Sequence, residues 1–362
     1  MPAGLASPRF QALVYGAYIS TLLASVVGNT SVIVIVACPR MGLRTVTNLY
    51  LANLALGDLL MTLFCVPFSF VALFVLQYWP FEGAICGVVN YCQAVSVLVS
   101  AYTLVAVSAD RYRAIIWPLR SAPFRSRSGI GAPDAAAAAG RFRAMLRLGV
   151  VWVVAAATAF PIALHSTLVQ PSAWHVHCAQ SICTEVWTDP AADQAYSLAL
   201  LLLQFLVPLV VLVYTYGQIG WHLRVGASPP LGESGRVRQR HLRRAWRRTL
   251  RTMVAVVSAF IVCWLPFNIF MLVPLDDPGW EPLPYLWFVF HWLAMSHSCY
   301  NPLIYCYVNP RFRQAFYALL VRPVIVLCPR QPFGRWWTAR PPPSVNGRDQ
   351  TAAVGDGSND SD

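Results

Sequence analysis

One carboxylate stands in the middle of an apolar run, in Leu54-Ala55-Leu56-Gly57-Asp58. An acid in such surroundings is costly. It is either held by hydrogen bonds across helices or used as a cation site or switch. A second pair, Asp110-Arg111, closes another apolar run and is followed by Tyr112 and by Pro118-Leu119. Two opposite charges there can be an interfacial pair whose heads reach for water, although the residues that follow make the pair less ordinary. The remaining reactive side chains form no catalytic set. Ten cysteines are scattered from Cys38 to Cys328, with no Cys-x-x-Cys pair and no cysteine–histidine set at metal-ligand spacing. Neither a zinc site nor a nucleophile–base pair is indicated.

The elements that must hold these groups follow from composition. Of 362 residues, 57% are hydrophobic and 12% charged. A soluble domain carries roughly 25% charged residues, so this chain cannot cover a soluble body of its size. Disorder is excluded for most of it, because disorder needs low hydrophobicity. The net charge of +12 comes entirely from arginine, for the 27 basic residues include no lysine. Those arginines separate apolar stretches instead of lining a polar domain, which argues against nucleic-acid binding.

Seven stretches reach the roughly 20 apolar residues a membrane-crossing helix needs. They run from about Ala12 to Cys38, Thr47 to Leu76, Ile85 to Ile116, Leu146 to Leu168, Tyr196 to Leu223, Met253 to Val273 and Tyr285 to Tyr307. The seventh is the most polar. Arginines fill three alternate connections: Arg40 and Arg44, then Arg113 to Arg143, then Arg224 to Arg251. The other three contain only acids: Glu82, then Glu185, Asp189 and Asp193, then Asp276, Asp277 and Glu281. Basic loops stay in the cytoplasm, so the N-terminus is expected outside and the C-terminus inside. The segments are then a short extracellular N-terminus over residues 1–11 without the signature of a cleavable leader, a seven-span bundle over 12–308, an amphipathic cytoplasmic helix over 309–320, and a disordered tail over 321–362 rich in Pro, Gly, Ser and Asp. The alanine-rich stretch Gly129–Gly140 reads as a loop insertion. Pro67, Pro161, Pro208, Pro266 and Pro302 interrupt five of the spans. Such prolines kink helices and free carbonyls, as suits a bundle that moves.

Taken in order, these features resemble the rhodopsin-like (class A) G-protein-coupled receptors, an all-α seven-transmembrane helix bundle with a short amphipathic helix after the last span. The motifs are Gly28-Asn29, Leu54-Ala55-x-x-Asp58, Asp110-Arg111-Tyr112, Trp152, Pro208 with Tyr216, Cys263-Trp264-Leu265-Pro266 and Asn301-Pro302-x-x-Tyr305, followed by Arg311 to Phe316. The resemblance implies that Asp110, Arg111 and Tyr112 engage the G protein or hold the inactive state. It implies that Phe260, Trp264 and Pro266 couple ligand to movement of the sixth helix, and that Tyr216, Asn301, Pro302 and Tyr305 complete the switch. Asp58, Ser100, Ser298 and Asn301 match a sodium pocket, with His297 where many relatives carry a polar amide. No cofactor beyond that allosteric ion is implied, and the protein would be no enzyme. Arrestin and receptor kinases would be further partners. Cys86, at the outer start of the third span, faces a loop offering both Cys178 and Cys183; the family pattern favours Cys183 and leaves Cys178 over.

For the ligand, the resemblance excludes two classes. Retinal needs a lysine, and there is none. Amine receptors need an aspartate where this chain has Gln93. A glutamine there is similar to neuropeptide Y-type receptors, and the likeness is nearest to arthropod RYamide receptors. Trp292 to Ser296 also resembles tachykinin receptors. An amidated peptide ending in Arg-aromatic-amide is the implied ligand. Gln93 would read the carboxamide, Asp276, Asp277 or Glu185 the arginine, and Phe267 with Trp264 the aromatic, with Gln204 and His291 as further ligand-binding residues. A transporter or channel would put Asp58 and Arg111 on an ion path, but the internal repeats common in transporters are absent.

Overall fold

The computed structural model describes residues 7–116, 132–225, 233–272 and 282–321. Among them seven long helices form a bundle: α1 (Pro8–Ala37), α2 (Val46–Leu76), α3 (Gly83–Ile116), α4 (Ala132–His165), α5 (Pro190–Leu201, continuing as Val207–Val225), α6 (Glu233–Leu272) and α7 (Leu283–Val308). A short α8 (Pro310–Val321) follows. Six are long and apolar enough to cross a membrane by length and composition. The seventh is long enough but carries His291, Ser296, His297, Ser298 and Asn301, all buried inside the bundle.

Local chemistry sets the helix ends. Pro8 opens α1 at a position whose N–H has no helical acceptor. The Thr45 hydroxyl accepts from Asn48 N at 3.2 Å to start α2. The Asp189 carboxylate accepts from Ala191 N at 2.9 Å to start α5 at Pro190, six residues before its apolar run. Pro67 breaks the regular ladder of α2, which turns at Cys65 and finishes as a wide π turn, Val71–Leu76. Gln77, at φ 64°, then stops it in the left-handed region. A second π turn, Leu202–Leu206, precedes Pro208 in α5.

One expectation fails. The segment Gly129–Gly140 is not simply a loop insertion, because α4 begins at Ala132 and runs through the alanines. Alanine has the highest intrinsic helix propensity, so the run extends the helix. The arginines from Arg236 to Arg251 lie on the first turns of α6.

α3 is the axis of the bundle. In its most apolar stretch 67% of residues are buried, against 22% in α5, and it packs on α2, α4 and α5. The main core is built chiefly from α1, α2, α3, α6 and α7, with Phe205 and Leu212 of α5 and Phe312 of α8 packed into it. At one end the link between α4 and α5 forms a two-stranded antiparallel hairpin, β1 (Ser166–Val169) and β2 (Ile182–Glu185), in which Leu168 faces Cys183. This hairpin, with a single helical turn at Ala173–His177 between its strands, is the only sheet among the described residues.

Candidate functional site

The centre of the bundle is polar. Asp58 is fully buried and accepts from Asn301 Nδ2 at 2.7 Å and from Ser100 Oγ at 3.4 Å. His297 Nδ1 stands 4.0 Å from the same carboxylate. The Ser298 hydroxyl turns away, donating to Met295 O at 2.9 Å. Asp58, Ser100 and Asn301 are therefore brought together, and Ser298 contributes differently. Pro302 has no N–H, so it leaves the carbonyl of Ser298, four residues earlier, without its helical donor. Asn29 Nδ2 on α1 supplies one at 2.8 Å. Gly28 permits the approach: a Cβ there would lie 2.9 Å from Pro302 Cβ and Cγ. Asn29 Oδ1, Asn301 Oδ1, His297 Nε2, Trp264 Nε1 and Tyr305 OH are buried with no protein partner. Buried polar atoms in this condition take water or an ion. The oxygens of Asp58, Ser100 and Asn301 suit a hard cation, whereas His297 presents nitrogen.

Towards the disulfide end of the bundle, an aromatic column rises from this core. Phe205 stacks on Phe260 at 6.0 Å, and Phe260 meets Trp264 at 6.3 Å and His297 edge-on at 5.5 Å. At the other end Tyr305 is buried against Phe312 of α8 at 5.8 Å. Asp110 Oδ2 accepts from Arg111 at 2.6 Å, while its Oδ1 accepts from Arg147 of α4 at 3.1 Å. Arg147 also reaches the Tyr50 hydroxyl at 3.4 Å. Tyr112 lies 6.5 Å from Tyr214, and Tyr216 packs on the main core.

At the hairpin end Cys86 is bonded to Cys183, with Cα atoms 5.6 Å apart, and Cys178 is free and exposed. Trp79 anchors the α2–α3 link, donating its backbone N–H to Ser181 O at 2.7 Å and packing with Phe68 and Phe81. Gln93 of α3 and Gln204 of α5 are half-buried, and neither side-chain amide makes a hydrogen bond to a described residue. Phe267 is half-buried and meets His291 edge-on at 6.0 Å. His291 itself is buried, its Nδ1 2.7 Å from the Tyr18 hydroxyl and its ring stacked on Trp287 at 4.5 Å. That places it in a packed aromatic cluster with α1. Glu185 is exposed at the end of β2. Partial loss of water around its carboxyl raises its pKa above the ordinary value of 4.5; Asp193 adds to this and His165 opposes it. Asp276 and Asp277 lie outside the described residues.

The profile of the seven-transmembrane receptors of the rhodopsin family matches residues 28–305. The chain belongs to that family. It is a multi-pass membrane receptor and not an enzyme. The receptor is 48% identical over 320 residues to the RYamide receptor of Drosophila melanogaster, covering 87% of this chain and 65% of that protein. It is 39% identical over 325 residues to the RYamide receptor of Tribolium castaneum, covering 88% and 83%. The tachykinin-like peptides receptor 86C of Drosophila melanogaster is 31% identical over 308 residues, covering 83% and 56%.

Several residues of this receptor site went unnoticed in the sequence. Arg147 stands one residue inside the fourth apolar run, and the rule that singled out Asp58 applies equally to it. Asn53 donates to Thr103 Oγ1 at 2.8 Å and accepts from Trp152 Nε1 at 2.9 Å, locking α2, α3 and α4 together. No local signal announces the Tyr18–His291 contact, which joins residues 273 apart.

Proposed function

We propose that this receptor sits in the plasma membrane, recognises an amidated peptide ending in Arg-aromatic-amide, of the RYamide or neuropeptide Y/F-like class, and passes the signal to a heterotrimeric G protein. The observation that carries the reading is the pairing of 48% identity to an RYamide receptor with a glutamine, Gln93, at the disulfide end of α3, whose side-chain amide makes no hydrogen bond among the described residues. A carboxamide both donates to and accepts from such a group, whereas an amine would seek a carboxylate. Gln204 offers a second amide and Phe267 an apolar wall. Glu185, Asp276 and Asp277 are the carboxylates for the peptide arginine. His291, bound to Tyr18 and edge-on to Phe267, supports the aromatic wall from the α1 side.

Two independent signals support the orientation. The arginine-free connections belong outside, and the Cys86–Cys183 bond ties the first turn of α3 to one of them, as suits an oxidising compartment. The N-terminus is therefore extracellular, and the C-terminus, with α8, cytoplasmic. Ligand binding biases a two-state element built from Phe260, Trp264, Pro266, Asn301, Pro302, Tyr305 and Tyr216. Its cytoplasmic output is Asp110, Arg111 and Tyr112. Arrestin and receptor kinases act on the same face. A sodium ion is the allosteric ligand of the Asp58 pocket, held by Asp58, Ser100 and Asn301.

Calcium or cyclic-nucleotide responses of transfected cells to a peptide panel test the reading. An amidated Arg-aromatic peptide should act at the lowest concentration. A stronger response to tachykinin-like peptides, 31% identity to whose receptor is the rival observation, would overturn the ligand class.

A further inference from the structure

A cleft of about 460 Å³ opens between α3 and α4 at the arginine-rich end, away from the peptide candidates. Its walls include Val105, Val150 and Val154, and its rim Asp110, Arg113 and Arg147. Val150 is 57% exposed and Val154 44%, so the apolar wall faces outward, where a membrane receptor meets lipid tails. The rim thus sets two guanidinium groups, those of Arg113 and Arg147, beside the carboxylate of Asp110. Arg111 and Arg147 already share the one carboxylate of Asp110, and Arg113 lies on the same face of α3, three residues on. Both bonds of Arg147 leave from Nη1, and its side chain stays 41% exposed. Its guanidinium keeps donors for a further acceptor.

We propose that this cleft binds an anionic phospholipid of the inner leaflet, with its phosphate on Arg147 and Arg113 and an acyl chain along Val105, Val150 and Val154. The leaflet follows from the orientation given above; the chemistry does not depend on it. A planar guanidinium fork matches a phosphate oxygen pair, and basic pockets between helices on the cytoplasmic side recognise such headgroups. A soluble phosphate would leave the valine wall unused, and a sterol would leave the arginines unused. The lipid phosphate and Asp110 compete for Arg147, which ties occupancy of the cleft to the carboxylate that restrains Arg111.

The test uses the full chain in phosphatidylcholine vesicles doped with a phosphatidylserine that carries a diazirine on its acyl chain. Cross-links should concentrate on peptides containing Val105 to Arg113 and Arg147 to Val154, and unlabelled phosphatidylserine should compete at least about tenfold better than phosphatidylcholine, the size of one charge-assisted hydrogen bond. Glycerophosphoserine, the headgroup without chains, should not compete. Arg113→Gln with Arg147→Gln should remove the preference, Arg147→Lys should keep part of it, and Asp110→Asn should strengthen it. Labelling spread evenly around the helices, or equal competition by phosphatidylcholine, overturns the proposal on the unaltered receptor, whatever the variants do. Competition by glycerophosphoserine would show a phosphate site and not a lipid site. Peptide signalling plays no part in this readout.

Discussion

Replacing Gly28 by alanine should destabilise the receptor more than the same change at any other described glycine of the bundle. The new Cβ meets Pro302 Cβ and Cγ at 2.9 Å. Carbon atoms settle at about 3.5–4.0 Å, so α1 and α7 must part by about 0.6 Å or more at this level. A proline ring cannot swing aside. The separation also stretches the 2.8 Å bond from Asn29 Nδ2 to Ser298 O, a carbonyl that Pro302 already deprives of its helical donor. Overpacking by one methyl costs about 1–3 kcal/mol, and weakening a bond to a buried carbonyl adds about 1 kcal/mol. The expected loss is therefore about 2–4 kcal/mol, read as a lower melting temperature of the purified receptor in one fixed detergent. Gly57→Ala meets Ser100 Oγ at 2.9 Å, but that hydroxyl can rotate, so the loss should be smaller. Gly16→Ala meets nothing within 4 Å and is the control. A Gly28→Ala receptor that melts with the Gly16→Ala control would refute the close approach and the role given to it.

Cys183→Ala should abolish peptide binding at the cell surface while Cys178→Ala leaves it nearly unchanged; equal losses would remove the hairpin from the site. Asp58→Asn should alter signalling more than peptide affinity and should abolish any sodium dependence of agonist affinity, and a dependence that survives the change would place the ion elsewhere. The raised carboxyl of Glu185 predicts a pH effect: its charge is complete well above its pKa and is lost as pH falls through it, at a higher pH than for an ordinary glutamate. Affinity for an arginine peptide should fall over that window, and Glu185→Gln should flatten the profile in radioligand binding. A profile unchanged by Glu185→Gln would assign the peptide arginine to other acids.

Much of the bundle was legible because spanning a membrane demands long apolar runs, and the six most apolar helices announce themselves. The seventh is weaker in the sequence for a physical reason. Its His297, Ser298 and Asn301 face α1 and α2 instead of lipid, so hydropathy falls where function is concentrated. The start of α4 was misread because alanine repetition resembles low complexity while favouring helix. The π turns in α2 and α5 depend on which carbonyls a proline frees and what packs there, which no composition reveals. In the site, Asp58, Asn301 and the Cys86–Cys183 bond were anticipated. The direction of the Ser298 hydroxyl and the burial of His291 against Tyr18 were not, since both are settled by side chains from distant helices.

The central claim is that an amidated peptide end is read by Gln93. The most direct measurement is a cycle of four binding constants, for the amidated and free-acid forms of an Arg-aromatic peptide on the unaltered receptor and on Gln93→Leu. If the contact exists, the amide should bind the unaltered receptor at least about tenfold more tightly than the acid, matching a hydrogen bond lost in a desolvated site. That preference should largely vanish in Gln93→Leu. Equal affinity for amide and acid on the unaltered receptor, or a preference that persists undiminished without the glutamine, would contradict the account.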